Sequence, residues 1–264
     1  MAETDEQRAA RYAELEASYP TMTAEEHRRR TRRSLLTGGA AALAGVAGWR
    51  WIQNSPEDMN IPAPLRDVHE ANEALWRVLH RDDKLAPTFD PTRSSMIRVN
   101  GRRGITEEID LDRWSMSVRD EGVEIVSHTM NVITGLPKQE LTVEHKCVEG
   151  WSHVVTWGGV RFSDFLEANH PEQLASPPDY VSLETPDRGF YVGLEWAAML
   201  HPQTLLAYEL QGEPLDQEHG APLRLVTPLK YGIKQLKRIG VIEFTDTRPA
   251  DFWAERGYDW YAGL

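Results

Sequence analysis

From residue 86 onward the sequence predicts a mixed α+β domain, and three observations carry that reading. Strand-length runs rich in β-branched and aromatic residues recur: RWSMSV (113–118), ELTVEHKCV (140–148), YVSLE (180–184), TLLAYEL (204–210) and GVIEF (240–244). Helical patterns are few, FSDFLEANH (162–170) and GLEWAAML (193–200) being the clearest, and QGEP (211–214) reads as a turn. These strands and helices do not alternate regularly, which argues against a doubly wound parallel sheet. The 264 residues suffice for one large domain with appendages.

Residues 1–54 form a separate region. DEQRAARYAELEASY (5–19) is helix-like, and Thr23 with Glu26 has the spacing of a capping box for a short helical turn. Arg28 to Arg30 then thicken a basic flank that ends in Arg32 and Arg33. An uncharged stretch rich in Ala, Leu and Gly follows at once. A basic segment before a short apolar one is the layout of a bacterial export signal, and TRRSLL resembles the twin-arginine consensus, with Leu35 where phenylalanine is common. The alternative is an amphipathic surface helix with a basic end, but the apolar stretch lacks a polar face. At about 15 residues it falls short of the ~20 that span a bilayer comfortably. Trp49, Trp51 and Ile52 extend it if Arg50 snorkels, and no clean A-x-A cleavage site follows. The expectation is export by the twin-arginine route to the periplasm or another extracytoplasmic space, with the apolar segment either cleaved or kept as an inner-membrane anchor.

Residues 55–85 read as a linker and a helix. SPEDMNIPAPLRD (55–67) carries three prolines. DVHEANEALWRVLHRDD (67–83) follows as an amphipathic helix, its expected inner face made by Val68, Ala71, Leu75 and Val78 or Leu79. Residues 86–264 remain as the functional domain.

The net charge of −12 argues against a nucleic-acid partner, because phosphate backbones need a basic surface. The one cysteine, Cys147 in HKCVEGWSHVVTW, permits no internal disulfide and no multi-cysteine zinc site. It is a buried inert thiol, a nucleophile or a metal ligand. His145 and Lys146 have the chemistry to favour the thiolate, although adjacent strand residues point to opposite faces. On spacing alone the inert thiol leads, since free cysteines are among the most buried residues. HGAPLRLVTPLKYGIKQLKRIG (219–240) concentrates Arg224, Lys230, Lys234, Lys237 and Arg238 in an acidic chain. It is either an anion site, most simply for a phosphate, or a solvated basic face. RVNGRRG (98–104) is a glycine-containing turn with Asn100 and further arginines.

Taken in order, CVEGWSHVVTWGGVRFSDFL, HP-TL at 201–205, HGAPLRLVTPLKYGIKQLKRI and TRP at 247–249 resemble the molybdopterin-binding domain of the sulfite oxidase superfamily. The branch they look most like is the catalytic subunit of the bacterial periplasmic protein-methionine-sulfoxide reductase. That resemblance implies a sulfite-oxidase-type fold and a molybdenum–molybdopterin cofactor, with Cys147 as the protein's ligand to the metal. It also implies cofactor contacts at Asn100, Thr185, Arg224, Gln235, Leu236 and Lys237, Arg224 and Lys237 holding the pterin phosphate. His219, where the near relative has asparagine, and Arg103 of the upstream turn join this cofactor-binding set.

The departures bear on the substrate. Sulfite-oxidising members follow the cysteine with Ala-Gly-Asn-Arg, whose arginine helps bind an oxyanion, whereas this chain has Val-Glu-Gly-Trp. Arg103 and Gly104 stand where the methionine-sulfoxide reductase has Tyr and Glu. The resemblance therefore implies oxygen-atom transfer, with reduction of an S-oxide such as methionine sulfoxide in a damaged protein as the leading reaction. Glu149 has the position of a proton shuttle if burial raises its pKa, or is a surface carboxylate, and Trp151 and Trp157 line an apolar entrance or are core tryptophans. Electrons would come from a membrane haem protein or a quinol-linked subunit, because the chain has no C-x-x-C-H haem motif. A sulfite dehydrogenase is the rival within the enzymes. A non-catalytic binding or electron-transfer module is the rival outside them.

The export reading is tested by replacing Arg32 and Arg33 with lysine together. Fractionation should find the folded double variant stranded in the cytoplasm, and its normal export would remove the assignment.

Overall fold

The computed structural model describes residues 4–18, 22–79 and 84–264. The chain divides into two compact units, Met1–Ser55 and Pro56–Leu264. From Pro56 on, the segment that sequence reading set apart as linker and helix belongs to the second unit.

In the first unit, α1 runs Asp5–Ser18 and α2 Ala24–Gln53; Tyr19, at the end of the expected first helix, lies outside the described residues. The capping box forms as its spacing predicts. The Glu26 amide donates to Thr23 Oγ1 at 3.2 Å and the Thr23 amide to Glu26 Oε2 at 3.1 Å. It opens a helix of 30 residues, not a short turn. Leu35, Leu36, Leu43 and Val46 on it are all exposed. No helix among the described residues is long and apolar enough to cross a membrane.

The second unit starts with a two-residue hairpin, β1 (Glu57–Asp58) and β2 (Ile61–Pro62), and the helix α3 (Ala63–Leu79). The helix begins four residues before the expected Asp67, because a proline such as Pro64 is tolerated in a first turn. Its inner face is not the expected one. Val68, Ala71 and Leu75 are exposed, and the side chains of Val78 and Leu79 are outside what the structure describes. The helix docks through charge instead. Arg66, 1% exposed, donates to the carbonyls of Ala254 (2.7 Å) and Tyr258 (3.2 Å). Glu73 pairs with Arg77 and Arg248.

Two five-stranded sheets carry the rest. β3 (Ser115–Asp120) and β4 (Val123–Thr129) form a hairpin, followed by the short α4 (Met130–Thr134). β5 (Gln139–Lys146) and β6 (Ser152–Arg161) form a second, longer hairpin. The helices α5 (Phe162–Asn169) and α6 (Pro171–Ala175) lead into β7 (Tyr180–Glu184) and β8 (Tyr191–Glu195). GLEWAAML, read as one helix, is the end of β8 plus the single turn α7 (Trp196–Met199). β9 (Leu205–Leu210), β10 (Glu213–Pro214), β11 (Arg224–Val226) and β12 (Val241–Thr245) complete the set.

One sheet has the order β4-β3-β12-β7-β8, its only parallel pair being β3 with β12. The other runs β10-β9-β6-β5, with β11 also on β9, and is antiparallel throughout. The expected absence of a doubly wound parallel sheet holds. Strands buried on both faces read as apolar runs: β12 is VIEFT, with only Glu243 partly exposed. Met116, Val118, Leu183 and Ile242 from one sheet and Val160, Leu206 and Leu225 from the other meet in one core.

The basic segment 219–240 is folded inward. Lys234 is 1% exposed and bonds Asp251 Oδ2 at 2.6 Å and the Gly193 carbonyl at 2.8 Å, over the face of Trp260. Removing one partner of such a buried pair strands the other charge, at a cost of about 3–5 kcal/mol. Lys234→Ala should therefore lower unfolding stability in urea by about that amount. A loss within 0.5 kcal/mol, about the size of an ordinary surface effect, would mean the pair contributes nothing.

Candidate active site

Cys147 sits at the tip of the β5–β6 hairpin. Pairing ends at Lys146 opposite Ser152, and the chain then reverses. The Cys147 amide donates to the Trp151 carbonyl at 2.9 Å, and the Gly150 amide to the Cys147 carbonyl at 3.0 Å, with Gly150 at φ 89°. Alternation along β5 turns Val143 and His145 inward, and Cys147 follows them, 8% exposed. The turn CVEG thus fixes a thiol on the inner face at the end of a strand.

Two further segments close around it. The turn 98–104 brings Asn100, whose Nδ2 donates to Cys147 Sγ at 3.8 Å. Gly104 (φ 74°) packs against Thr185 so closely that a Cβ there would lie 2.3 Å from the threonine methyl. The segment 216–238 supplies His219, Arg224, Gln235 and Lys237. Backbone also approaches closely at Gly232, where a Cβ would meet His145 Nε2 at 2.7 Å. Together these enclose a cavity of about 390 Å³.

Its lining carries Arg98, Arg102, Arg103, Arg224 and Lys237 against one carboxylate, Glu149, which is exposed. Arg224 is 2% exposed and stacks on Trp157, 4.5 Å from the ring centre. Its Nη1 and Nη2 donate to the carbonyls of His219 (2.9 Å) and Gln235 (3.4 Å), while Nε is buried without a partner. Burial lowers its pKa to about 10, so it remains a cation at neutral pH. Lys237 donates to the carbonyls of Asn100, Gly101 and Glu218 at 2.8–3.1 Å, and burial followed by Arg224 lowers it to about 8. The other basic residues of the segment are engaged elsewhere: Lys230 with Glu195, Lys234 with Asp251, and Arg238 with two carbonyls and Gln217. A solvated basic face is therefore excluded. The cluster divides into cations tied into the scaffold and two, Arg224 and Lys237, that line the cavity.

His145, which the sequence reading took with Lys146 as a group favouring the thiolate, lines the cavity. Burial, then the charge of Arg224, lowers its pKa to about 3. Gln235 Nε2 donates to the Thr227 and Lys230 carbonyls, which leaves Gln235 Oε1 to accept from His145 Nδ1 at 3.1 Å. The ring is neutral, with its proton on Nδ1. Lys146 faces away and lies 3.6 Å from Glu144. Neither residue supplies the positive charge expected to favour the thiolate; Arg224 and Lys237 are the buried cations of this cavity, with Arg98, Arg102 and Arg103 also on its lining. Alternation of His145 with Cys147 was the signal that could have found it.

Of the other expected site residues, Asn100, Arg103, Glu149, His219 and Gln235 line the cavity. Arg103 is exposed over the Phe252 ring at 4.8 Å. His219 has Nδ1 on Asp216 at 2.8 Å and Nε2 3.4 Å from the Ile97 carbonyl. Thr185 and Leu236 do not line the cavity. The Thr185 hydroxyl donates to Asp187 at 2.6 Å and accepts from the Phe190 amide, which stabilises the turn behind Gly104. Leu236 is wholly buried in the core, its carbonyl bonded by the Leu225 amide.

Glu149 also departs from expectation. It is exposed at the turn, and its pKa is lowered, not raised. The Trp151 indole N–H donates to it at 2.9 Å, and Asn100 and Arg98 add to the effect. A carboxylate held ionised does not serve as a neutral-pH proton donor. Trp151 lines the cavity as expected, but Trp157 is a core residue beneath Arg224.

Comparison with known proteins identifies the family. The family model described as the oxidoreductase molybdopterin binding domain matches residues 103–253. The protein-methionine-sulfoxide reductase catalytic subunit MsrP of Xanthomonas axonopodis pv. citri is 34% identical over 85% of this chain and 73% of its own length. A chain of Azospira oryzae, provisionally named as the protein-methionine-sulfoxide reductase subunit YedZ1, is 29% identical over 88% of this chain and 86% of its own. The crystal structure of the sulfane dehydrogenase SoxCD from Paracoccus pantotrophus superposes with a TM-score of 0.47 at 20% identity, over 54% of this chain and 40% of that one. With the match spanning more than half of its residues and including the cysteine turn and the basic segment, the chain belongs to the oxidoreductase molybdopterin-binding domain family.

Proposed function

We propose that this protein is an exported molybdenum–molybdopterin enzyme that reduces S-oxides, methionine sulfoxide foremost. The observation that carries the reading is a single thiol facing a cavity with a buried guanidinium that no carboxylate neutralises. The orphaned Arg224 Nε and the ammonium of Lys237 suit a phosphate, and the thiol suits a soft metal. These residues fit the group that the family binds. Among the described residues no cluster of three or more His, Cys, Asp or Glu side chains is placed to hold a metal ion. Cys147 would thus be the chain's contribution to the metal, the remaining sulfur ligands coming from the pterin. Bound there, the cofactor would supply two-electron redox chemistry for oxygen-atom transfer.

The chain's own residues would orient and select. Arg224 and Lys237 hold the phosphate, and Asn100 fixes the thiol. Neutral His145 adds no charge beside it. Glu149, ionised at the mouth, repels an anion such as sulfite, although its exposure lets solvent screen the effect and Arg98 offsets part of it. A neutral S-oxide meets no such repulsion. Its reduction consumes two electrons and two protons and releases a thioether and water. The electrons would come from a membrane haem or quinol-linked subunit, a reading supported by relatives that are themselves named as subunits. Arg32 and Arg33 before the apolar stretch of α2 support export by the twin-arginine route. Arg103 on the cavity wall keeps sulfite oxidation as the second reading.

Two experiments test this. In Cys147→Ser, molybdenum measured by mass spectrometry and turnover should both be lost, while pterin released from the variant persists because Arg224 and Lys237 remain. Unchanged metal and activity would sink the assignment of the thiol. Given an artificial reductant, the purified protein should turn over methionine sulfoxide or a related S-oxide faster than it oxidises sulfite. Efficient sulfite oxidation without S-oxide reduction would overturn the substrate reading and point to Arg103 as the anion site.

A further inference from the structure

The amphipathic helix α3 is turned inside out. Its charged stripe, Arg66, Glu70, Glu73 and Arg77 at helical spacing, faces the domain. Arg66 is buried on two carbonyls, Glu70 and Glu73 pair with Arg248, and Arg77 pairs with Glu195. The apolar stripe faces outward. Leu65, Val68, Leu75 and Trp76 are 43–58% exposed, with Ala71 and Asn72 exposed between them. A surface helix ordinarily does the reverse. Because the charged face is held by these partners, α3 cannot roll to bury its apolar face. Single apolar residues on a surface need no explanation, but a contiguous row of them marks a contact surface.

Charge decides which molecule covers it. Asp67 flanks the stripe on the helix, and Glu57 and Asp58 stand on β1, which packs against α3; all three are exposed. No outward position of α3 is a lysine or arginine. The chain as a whole carries a net charge of −12. A second copy would set one acidic rim against another, and an anionic lipid surface would meet the same repulsion. A protein with an apolar patch rimmed by lysine or arginine is complementary in both respects. The stripe also leads to the site. Trp76 lines a cavity of about 530 Å³ that shares Val148, Ile233 and Tyr258 with the thiol cavity. A partner on the stripe thus reaches the edge of the site while the thiol cavity stays open to substrate. Substrates of varied sequence offer no constant patch to match, whereas an electron donor is one fixed partner.

We infer that the outward stripe of α3 is the docking surface for the electron-donor subunit, whose contact patch is apolar with a basic rim. This rests on the S-oxide reductase reading, which requires an external donor. For a quinol-linked donor, one quinol and one S-oxide give one quinone, one thioether and one water.

The test uses the full-length loaded protein with right-side-out membrane vesicles of its native host, a short-chain quinol and methionine sulfoxide. A small dye reductant, which needs no docking surface, drives the same turnover in parallel. Val68→Ser with Leu75→Ser removes apolar surface at two exposed positions. The double variant should lose about tenfold in quinol-driven rate, the scale of an anchoring interface contact, and keep its dye-driven rate. Asp67→Lys should lower the quinol-driven rate as well, and added salt should lower it in the unaltered protein. Docking is also read without turnover, by sedimentation with host vesicles and with protein-free vesicles of the lipids extracted from them. The unaltered protein should bind host vesicles in excess, and the double variant should lose that excess. An unchanged quinol-driven rate in the double variant would overturn the inference. So would an equal loss of binding to the protein-free vesicles, which assigns the stripe to lipid. A dimer of the unaltered protein that the double variant loses would assign it to a second copy, with the same result. If the dye drives no S-oxide reduction, the functional reading fails, while the sedimentation excess still decides the docking surface.

Discussion

A guanidinium with 2% exposure and no carboxylate beside it is an expensive thing to fold around, and Arg224 is that group. Desolvating a charge costs several kcal/mol even after relaxation, so the surroundings must compensate. Part of the compensation is visible: the Trp157 face and the carbonyls of His219 and Gln235. The rest is an orphaned Nε beside the thiol cavity. Each element around it serves this one placement. β11 sets Arg224 against β9, the 216–219 turn offers a carbonyl, and Gln235 closes the ring while fixing the tautomer of His145.

The neighbouring cations show the same constraint solved differently. Lys230 and Lys234 stand a few residues along the chain and are as deeply buried, yet each has its own carboxylate, Glu195 and Asp251. Those pairs tie the loop to β8 and to the segment around residue 251. Pairing therefore separates scaffold from site within one basic stretch. The acidic partners come from distant parts of the sequence, which is why that separation is not visible in the stretch itself.

Much of the fold was legible because local pattern and tertiary burial coincide. YVSLE and GVIEF are strands between strands, and their apolar runs have one reading. The capping box at Thr23 is a local interaction and formed as spaced. Cys147, Arg224 and Lys237 were legible through resemblance, and the cavity contains all three. What sequence could not give was set by long-range partners. The apolar stripe of α3 predicts burial, but Arg66 and Glu73 find carbonyls and cations about 180 residues away and dock the opposite face. GLEWAAML has helical spacing, yet the pairing of its first residues with β7 makes them strand. Glu149 sits two residues from a buried thiol, and strand alternation would bury it too. The hairpin turns first, and an indole N–H then holds it ionised at the surface.

The same turn explains why holding and choosing need not conflict in this site. The two buried cations of the cavity, Arg224 and Lys237, lie on the 216–238 segment and are fixed by backbone carbonyls. The exposed residues of the cavity lining beside the thiol, Val148 and Glu149, lie on the hairpin tip. Cys147 stands between the two, its amide locked into the hairpin and its sulfur turned inward. Because Val148 lines the thiol cavity, a change at the tip alters approach to the thiol without touching Arg224 or Lys237, which lie on another segment. Substitution of the residues after the cysteine is then the least disruptive way for this fold to change its substrate. Val-Glu-Gly-Trp stands at that place, where the resemblance sets it against Ala-Gly-Asn-Arg: Trp151 takes the position of the arginine, and Glu149 adds a carboxylate two residues earlier.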